Sequence, residues 1–288
     1  MRDFLKMLRC HHYMKNLLVF AALAFSGQMT DTDKLIAGAI GFFAFCAASS
    51  FVYIVNDIRD REKDRLHPKK KDRPIASARI SVKTAVITSV ICLILAICLI
   101  CLRFSIEAFS LLAAYIILNL LYSWKLKDIP LLDVAILVSG FFIRVLLGGI
   151  ITDIAVSNWL LLTVISFSFF LSFGKRRNEL KTLDSSSTRA VLSGYTVSFL
   201  DKSMYLCLAL AVVFYSLWSV GDSTIDHYHS NKVVLSVPIV LFITLRYCMD
   251  IEKETSDGDP VEVLLHDKVL ILLCTAYAAF MMMLLYVL

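Results

Sequence analysis

The chain has 288 residues, 58% of them hydrophobic and 18% charged, with a formal net charge of +5. Its mean hydropathy of +0.74 excludes an ordinary soluble domain, where about 45–50% apolar residues are usual. Apolar stretches of about twenty residues, each enough to cross a bilayer as a helix, recur along the whole length, so the fold class is an all-α polytopic membrane protein.

Nine spans are predicted, at 17–29, 36–56, 84–102, 106–124, 131–151, 158–174, 203–220, 233–250 and 268–288. With the N-terminus in the cytoplasm, 25 of the 29 Lys and Arg residues fall on the cytoplasmic side. Three (Lys34, Arg103, Lys232) fall outside, and Arg144 lies within a span. A bias of that size sets the expected orientation. It also gives the basic charge a membrane-topology meaning, so no nucleic-acid partner is expected. Arg2–Lys15 is polar and basic with no small-residue cleavage site after it, which is not the pattern of a cleavable signal peptide. No polar segment is long enough to fold apart, so residues 1–288 are read as one integral domain, expected at the cell (inner) membrane.

In chain order, Lys15-Asn16 opens the first span at the cytoplasmic surface. The second span runs into Asn56-Asp57-Ile58-Arg59-Asp60-Arg61-Glu62-Lys63-Asp64. If that helix continues, Asp57, Asp60 and Asp64 share a face, because residues three, four and seven apart stack along a helix. Carboxylates so placed repel one another unless a cation lies between them. Mg²⁺ is commonly held by one or two carboxylates together with substrate phosphates. The bland alternative is a solvated helix end whose charges pair locally with Arg59, Arg61, Lys63 and Arg65. The basic run Lys69-Lys70-Lys71 reads as topology and attraction to anionic lipid headgroups. Arg73, fixed by Pro74, reads as a ligand or structural partner.

Of the eight cysteines, Cys98 and Cys101 form a C-x-x-C inside a span and read as small buried hydrophobes rather than a redox pair. Tyr122, Lys125 and Lys127 close the fourth span on the cytoplasmic side. The fifth span holds Asp133 and Arg144, eleven residues or about 16 Å apart along a helix, facing the same way. An ionisable residue within a span is a functional-site candidate. For Arg144, pairing with another helix and binding of a lipid phosphate stand side by side. Gly148-Gly149 reads as a point of close helix packing.

At the end of the sixth span stands Gly174-Lys175-Arg176-Arg177-Asn178-Glu179-Leu180. Lys175 and Glu179 are four apart and able to share a face. A basic stretch there is able to hold a phosphate or to anchor the helix at the interface. The His227-x-His229 pair and the residues Asp257–Asp259 and Glu262 read as loop surface.

The stretch Asn56-Asp57-x-x-Asp60-x-x-x-Asp64, followed by Asp72-Arg73-Pro74-Ile75-Ala76-Ser77-Ala78-Arg79-Ile80-Ser81, resembles the first signature of the UbiA-type prenyltransferase superfamily. The resemblance implies a nine-helix bundle with a cytoplasm-facing polar cavity and Mg²⁺-dependent diphosphate substrates. Ala78 stands where many members have Gly. Prenyl-transferring branches usually carry a second motif of D-x-x-x-D type, whereas here the position is Lys175-Arg176-Arg177-Asn178-Glu179-Leu180. That stretch resembles instead the decaprenyl-phosphate phosphoribosyltransferase branch. Four further stretches do the same: Met14–Phe20, Tyr122-Ser123-x-x-Leu126-Lys127-x-x-Pro130-x-x-Asp133, Ser139-Gly140-Phe141-x-x-Arg144 and Asp259–Asp267.

The branch implies phosphoribosyl pyrophosphate (PRPP), arriving from the cytoplasmic side, as donor and a polyprenyl phosphate, entering from the surrounding membrane lipids, as acceptor. On that implication Asp57, Asp60, Asn56 and Asp64 hold Mg²⁺ on the pyrophosphate. Asp57, Asp60 and Lys175 are the catalytic set. Lys175 and Arg176, with Lys15, bind phosphate groups, and Arg73, Tyr122, Lys127, Asp133, Arg144 and Glu179 complete substrate binding. Three rivals are set against it. An aromatic or glycerol-phosphate prenyltransferase would want the doubly acidic second motif. A transporter would want polar residues spread through its spans. A lipid-binding scaffold leaves the acidic motif unexplained.

Overall fold

A computed structural model of the chain describes residues 2–67, 70–182, 190–228, 230–252, 263 and 266–286. Lys69, His229, the side chain of His227, Asp257–Asp259 and Glu262 lie outside the described residues. Every regular element among those described is helical: α1 (Arg2–Leu8), a 3-10 segment (Cys10–Phe20), α2 (Ala21–Ala24), α3 (Thr32–Arg59), α4 (Arg61–Leu66), α5 (Val82–Cys101), α6 (Ile106–Trp124), α7 (Leu132–Thr152), α8 (Asn158–Thr182), α9 (Val197–Val220), α10 (Asp222–Tyr228), α11 (Val237–Ile251) and α12 (Lys268–Tyr286).

Seven of these stretches are long and apolar enough to cross a membrane: α3, α5, α6, α7, α8, α9, and the run Lys232–Ile251 containing α11. Lys268–Leu284 is a shorter apolar helix. They correspond to the second through ninth predicted spans. The first predicted span, 17–29, is not a continuous helix. The 3-10 segment gives way to one α-turn, and the chain then reverses at Gly27 (φ 65°).

The helix starts follow from their caps. Asp31 accepts from Asp33 N (3.0 Å), Ser81 from Thr84 N (3.1 Å), Ser105 from Ala108 N (3.1 Å) and Thr196 from Phe199 N (3.1 Å), satisfying amides that a helix N-terminus otherwise leaves bare.

The chain divides into two compact units, residues 1–127 with 143–155, and residues 128–142 with 156–288. The first is cored by Val19, Phe45, Ala48, Val52, Ile100, Leu112 and Leu147. The 3-10 segment lies against α7 so closely that a Cβ on Gly148 would sit 1.9 Å from the Val19 carbonyl oxygen. Gly148 is therefore the point of close packing expected of it. Asp33 at the start of α3 meets Arg103 just after α5, with Nη1 3.0 Å from Oδ2. The end of α3 meets the end of α6 through Arg59. The helices of this unit thus alternate in direction.

Along α5, Val86, Ile87, Val90, Ile91, Ile94 and Leu95 are exposed, an apolar surface suited to lipid. Cys98 and Cys101 are free thiols, as expected, but they too are exposed rather than buried. Hydropathy does not separate a lipid-facing side from a core-facing one.

The second unit is cored by Phe170, Phe173, Leu200, Met204, Tyr247 and Leu270. Arg177 of α8 reaches Asp201 in α9 and Glu252 beyond α11 (2.5 Å to Glu252). The hydroxyls of Tyr215, Ser236 and Tyr277 meet at 2.6 and 3.1 Å.

One loop of the first unit is defined by strain as well as packing. After Arg73 the chain turns through Ser77 N to Arg73 O (2.9 Å) and Ile80 N to Pro74 O (3.0 Å). Ile75 and Ile80 are pressed into a small core with Met7, Ile54 and Ala85. Ala78 at the turn is exposed and left-handed, φ 59°, a conformation that disfavours any residue with a Cβ by about 1–2 kcal/mol. Ala78→Gly is therefore expected to stabilise the protein by about 0.5–1 kcal/mol, net of glycine's larger unfolded-state entropy. Ala78→Val is expected to destabilise it. The thermal midpoint of the detergent-solubilised protein is the measurement; equal midpoints for all three would refute the reading.

Candidate active site

The apolar run of α3 ends in the acidic motif. The helix does not continue through it: α3 stops at Arg59, Asp60 leaves the helical path (φ −84°, ψ 5°), and α4 begins at Arg61. Asp57, Asp60 and Asp64 are thus not on one uninterrupted helix face as expected. The bond from Asp64 N to Asp60 O (2.8 Å) nonetheless keeps the spacing close to helical.

Asp57 and Asp64 are buried, and Arg73 Nη1 lies between them, 3.0 Å from Asp57 Oδ1 and 2.7 Å from Asp64 Oδ2. Arg9 Nη2 donates to the same Asp57 oxygen at 2.6 Å, with its guanidinium 4.7 Å from the centre of the Tyr53 ring. Asp60 receives Lys127 Nζ on both oxygens, at 3.2 and 2.8 Å. Three carboxylates are therefore matched by three cations. Arg9 itself is left-handed, φ 56° and ψ 45°, where α1 gives way to the 3-10 segment. Backbone strain of this kind persists only where the surroundings impose it, and it collects at functional sites. Arg65 Nε donates to Ala76 O (3.0 Å) and straps the loop that carries Arg73.

The acidic motif fits a hard divalent cation by its donor chemistry. As they stand, no three His, Cys, Asp or Glu residues form a metal cage among the described residues. Oxygens of Asp57 and Asp64 nevertheless converge on a single positively charged nitrogen. Two carboxylates are sufficient for Mg²⁺ when substrate phosphates supply the other oxygens. Asn56 lies one residue ahead, half-buried. Lys15 and Tyr122 are half-buried in the same unit.

Arg144, the other expected residue of this unit, is an internal tie. Its Nε donates to Asn16 Oδ1 (2.8 Å) and its Nη2 to Tyr115 Oη (3.2 Å), while the guanidinium lies 5.0 and 4.9 Å from the Phe45 and Tyr115 ring centres. Of the two readings left open by sequence, the structure shows pairing with neighbouring segments.

The second unit gathers the remaining candidates differently. Asp133 is fully buried and accepts from Arg176 Nε (2.7 Å) and Tyr195 Oη (2.6 Å). Arg176 Nη1 donates to Glu179 Oε2 (2.7 Å), an i,i+3 contact that the sequence reading had not singled out. Burial and the Asp133 carboxylate push the Tyr195 hydroxyl up to about 12. It therefore stays protonated and donating near neutral pH. Its oxygen also accepts from Leu131 N (2.6 Å), where Leu131 is left-handed, φ 66°. Asn178 Nδ2 donates to Ile251 O (3.1 Å). Arg176, Arg177 and Asn178 are all buried, and Lys175 is half-buried at the head of this turn. Asp133 and Arg144, expected to face the same way, belong to different units, each with its own partners.

Sequence reasoning missed Arg9, Arg59, Tyr115 and Tyr195 as site or supporting residues. Arg9 and Arg59 were legible only as basic residues at a membrane edge, which are abundant here. The two tyrosines carry no spacing signal.

Three comparisons bear on this arrangement. Residues 17–225 match the model of the UbiA prenyltransferase family. A decaprenyl-phosphate phosphoribosyltransferase of Mycolicibacterium smegmatis is 34% identical over 290 residues, covering 95% of this chain and 89% of that protein. One from Corynebacterium glutamicum is 34% identical over 294 residues, covering 98% and 86%. Among solved structures, a UbiA homolog from Archaeoglobus fulgidus bound to DMAPP and Mg²⁺ superposes with a TM-score of 0.72 over 99% of this chain and 100% of that one, at 19% identity, a likeness of fold. Family model, relatives and fold agree, and the chain belongs to the UbiA prenyltransferase family.

Proposed function

We propose that this enzyme transfers the 5-phosphoribosyl group of PRPP to a polyprenyl phosphate of decaprenyl type, releasing pyrophosphate. The observation that carries the reading is the near-full-length similarity to two decaprenyl-phosphate phosphoribosyltransferases. The α8 stretch supports it, since Lys175–Glu179 offers no second pair of free carboxylates: its one acidic residue is already held by Arg176. In the same proposal the chain crosses the inner membrane nine times, the first crossing made by the 3-10 segment and α2 (10–24) rather than by one α-helix, with its N-terminus in the cytoplasm. Its polar residues line a cavity open to that side, and the whole chain acts as one enzyme domain.

In the reaction, a phosphate oxygen of the acceptor forms a bond to ribose C1 as the C1–O bond to pyrophosphate breaks. The acceptor is already anionic at neutral pH, so no strong general base is needed. Asp57 and Asp64, with Asn56 and Asp60 beside them, would hold Mg²⁺, which when bound would offset the charge developing on the leaving pyrophosphate. The chain's own contribution is electrostatic and positional. Arg9, Arg73 and Lys127 rest on the aspartates, and the donor's diphosphate is the anion to which they transfer. Lys175 serves a donor phosphate. Arg176, Asp133, Glu179 and Tyr195 hold the turn that presents it, and Arg144 and Tyr122 shape the acceptor side.

Purified protein supplied with Mg²⁺, labelled PRPP and polyprenyl phosphate is the direct test, with geranylgeranyl diphosphate plus an aromatic acceptor as the comparison. Turnover of the second pair alone would replace this reading with prenyl transfer. Asp57→Ala and Asp60→Ala are each expected to lower turnover at least about 100-fold while the thermal midpoint shows a folded protein; undiminished turnover in either would remove that residue from the site.

The paired charges predict a second behaviour. Three cations on three carboxylates leave no net negative charge to attract a free divalent ion, so metal should load with the donor rather than before it. Arg73→Gln is expected to tighten Mn²⁺ binding in the absence of donor by about tenfold, a change of about 1.4 kcal/mol, and to weaken PRPP binding. Electron paramagnetic resonance of free Mn²⁺ reads the first effect. Unchanged Mn²⁺ affinity would show that Arg73 does not compete for these oxygens.

A further inference from the structure

Arg59 lies between Asp57 and Asp60 in the acidic motif, and neither its spacing nor its charge marks it. Its contacts do. α6 ends at Trp124, and the last carbonyls of any helix lack intrahelical donors. Leu121 O is taken by Lys125 N (3.1 Å). Ser123 O and Trp124 O are taken by the two terminal nitrogens of Arg59, Nη1 to Ser123 and Nη2 to Trp124 at 2.8 Å. A planar guanidinium bridges two neighbouring carbonyls at once, which an ammonium on a flexible stem does not. The negative end of the α6 dipole adds to the attraction.

Three residues beyond Trp124, in the turn Leu126–Asp128, Lys127 reaches both oxygens of Asp60. Adjacent residues at the end of α3 thus grip two successive points where the chain leaves α6. Arg59 holds the backbone at the start of the turn, and Asp60 receives the side chain at its tip. A lysine side chain surrenders up to about 2 kcal/mol of rotamer freedom when it is fixed, so Lys127 is aimed only if its backbone is.

We propose that Arg59 is a positioning residue, which sets Lys127 onto Asp60 by fixing the α6–α7 turn. This rests on the reading of the Asp57–Asp60–Lys127 cluster as the place of the donor's diphosphate. Arg59 is itself exposed, so its loss leaves the fold standing and shows in how Lys127 is presented.

The test is a four-member set: wild type, Arg59→Gln, Lys127→Met and the double variant. Two measurements are made on each member that has the residue in question. The first is steady-state kinetics with PRPP as the varied substrate. Each single variant is expected to raise KM for PRPP about tenfold with a smaller change in kcat, and the double variant to be no worse than Lys127→Met alone. Arg59→Lys should recover part of the loss, since it restores charge without the fork. The second is acylation of Lys127 by an amine-reactive ester without substrate, quantified by mass spectrometry. Labelling is expected to rise severalfold in Arg59→Gln, because the ammonium is released from Asp60. Additive KM effects would overturn the proposal and place Arg59 on the donor directly. Unchanged labelling would overturn it as well. If wild type turns over no PRPP, the donor reading fails by itself, and the labelling comparison still decides whether Arg59 positions Lys127.

Discussion

Asp57 ends an apolar helix, is 4% exposed, and carries two guanidinium groups on one oxygen. A buried carboxylate without partners is among the costlier arrangements in a protein, and much of the first unit is arranged around removing that cost. The N-terminal segment turns through a left-handed Arg9 to deliver one cation. The loop after α4 folds on Ile75 and Ile80 and passes through a left-handed Ala78 to deliver the other. Both irregular segments deliver a cation to Asp57, and the second delivers it to Asp64 as well.

How a cation is buried separates the cluster around Asp57 from the one around Asp133. The side chains of Arg73 and Lys127 remain 28% and 25% exposed, whereas that of Arg176 is 2% exposed between two carboxylates. A partly exposed cation is able to exchange a carboxylate for an arriving anion without first breaking a sealed network. Arg176 is not so placed: with Asp133, Glu179 and Tyr195 it forms a satisfied buried network, which fixes geometry. Two clusters built from the same residue types therefore suit different tasks in the proposed reaction: the first is placed to exchange with an anion, the second to fix the turn that carries Lys175.

Legibility in the sequence followed the range of the interactions. Helices α3 and α5–α9, the run containing α11, and α12 were readable because hydropathy sums over many residues. The aspartates were readable because their spacing is local. The 3-10 form of the first predicted span was not readable, because that segment packs its Val19 carbonyl on Gly148, distant in sequence. Arg73 and Lys127 were already candidates, but which cation meets which aspartate was hidden for the same reason. Arg9 lies 48 residues from Asp57, and Lys127 lies 67 from Asp60. Basic residues at membrane edges are too common for Lys and Arg counts to single out Arg9, and Lys127 was named as a site residue only through the resemblance. Ala78 is the reverse case: the resembled signature pointed to glycine at this position, and its left-handed φ of 59° supplies a physical reason for one.

Apolar packing does not by itself fix how one membrane helix sits against the next, because lipid tails are as apolar as leucine. Register must come from small residues that admit close approach and from directional polar contacts. In the first unit Gly148 supplies the close approach on α7, and Arg144, four residues earlier, supplies the direction through Asn16 and Tyr115. In the second unit the opening turn of the same helix is fixed by Asp133 through Arg176 and Tyr195. Each half of α7 is thus registered within its own unit by a hydrogen-bonded charge. The rarity of ionisable residues inside the spans is what allows these two to be specific: a helix with a single buried charge at each of two levels has one rotation and one height at which each charge meets its donors or acceptors.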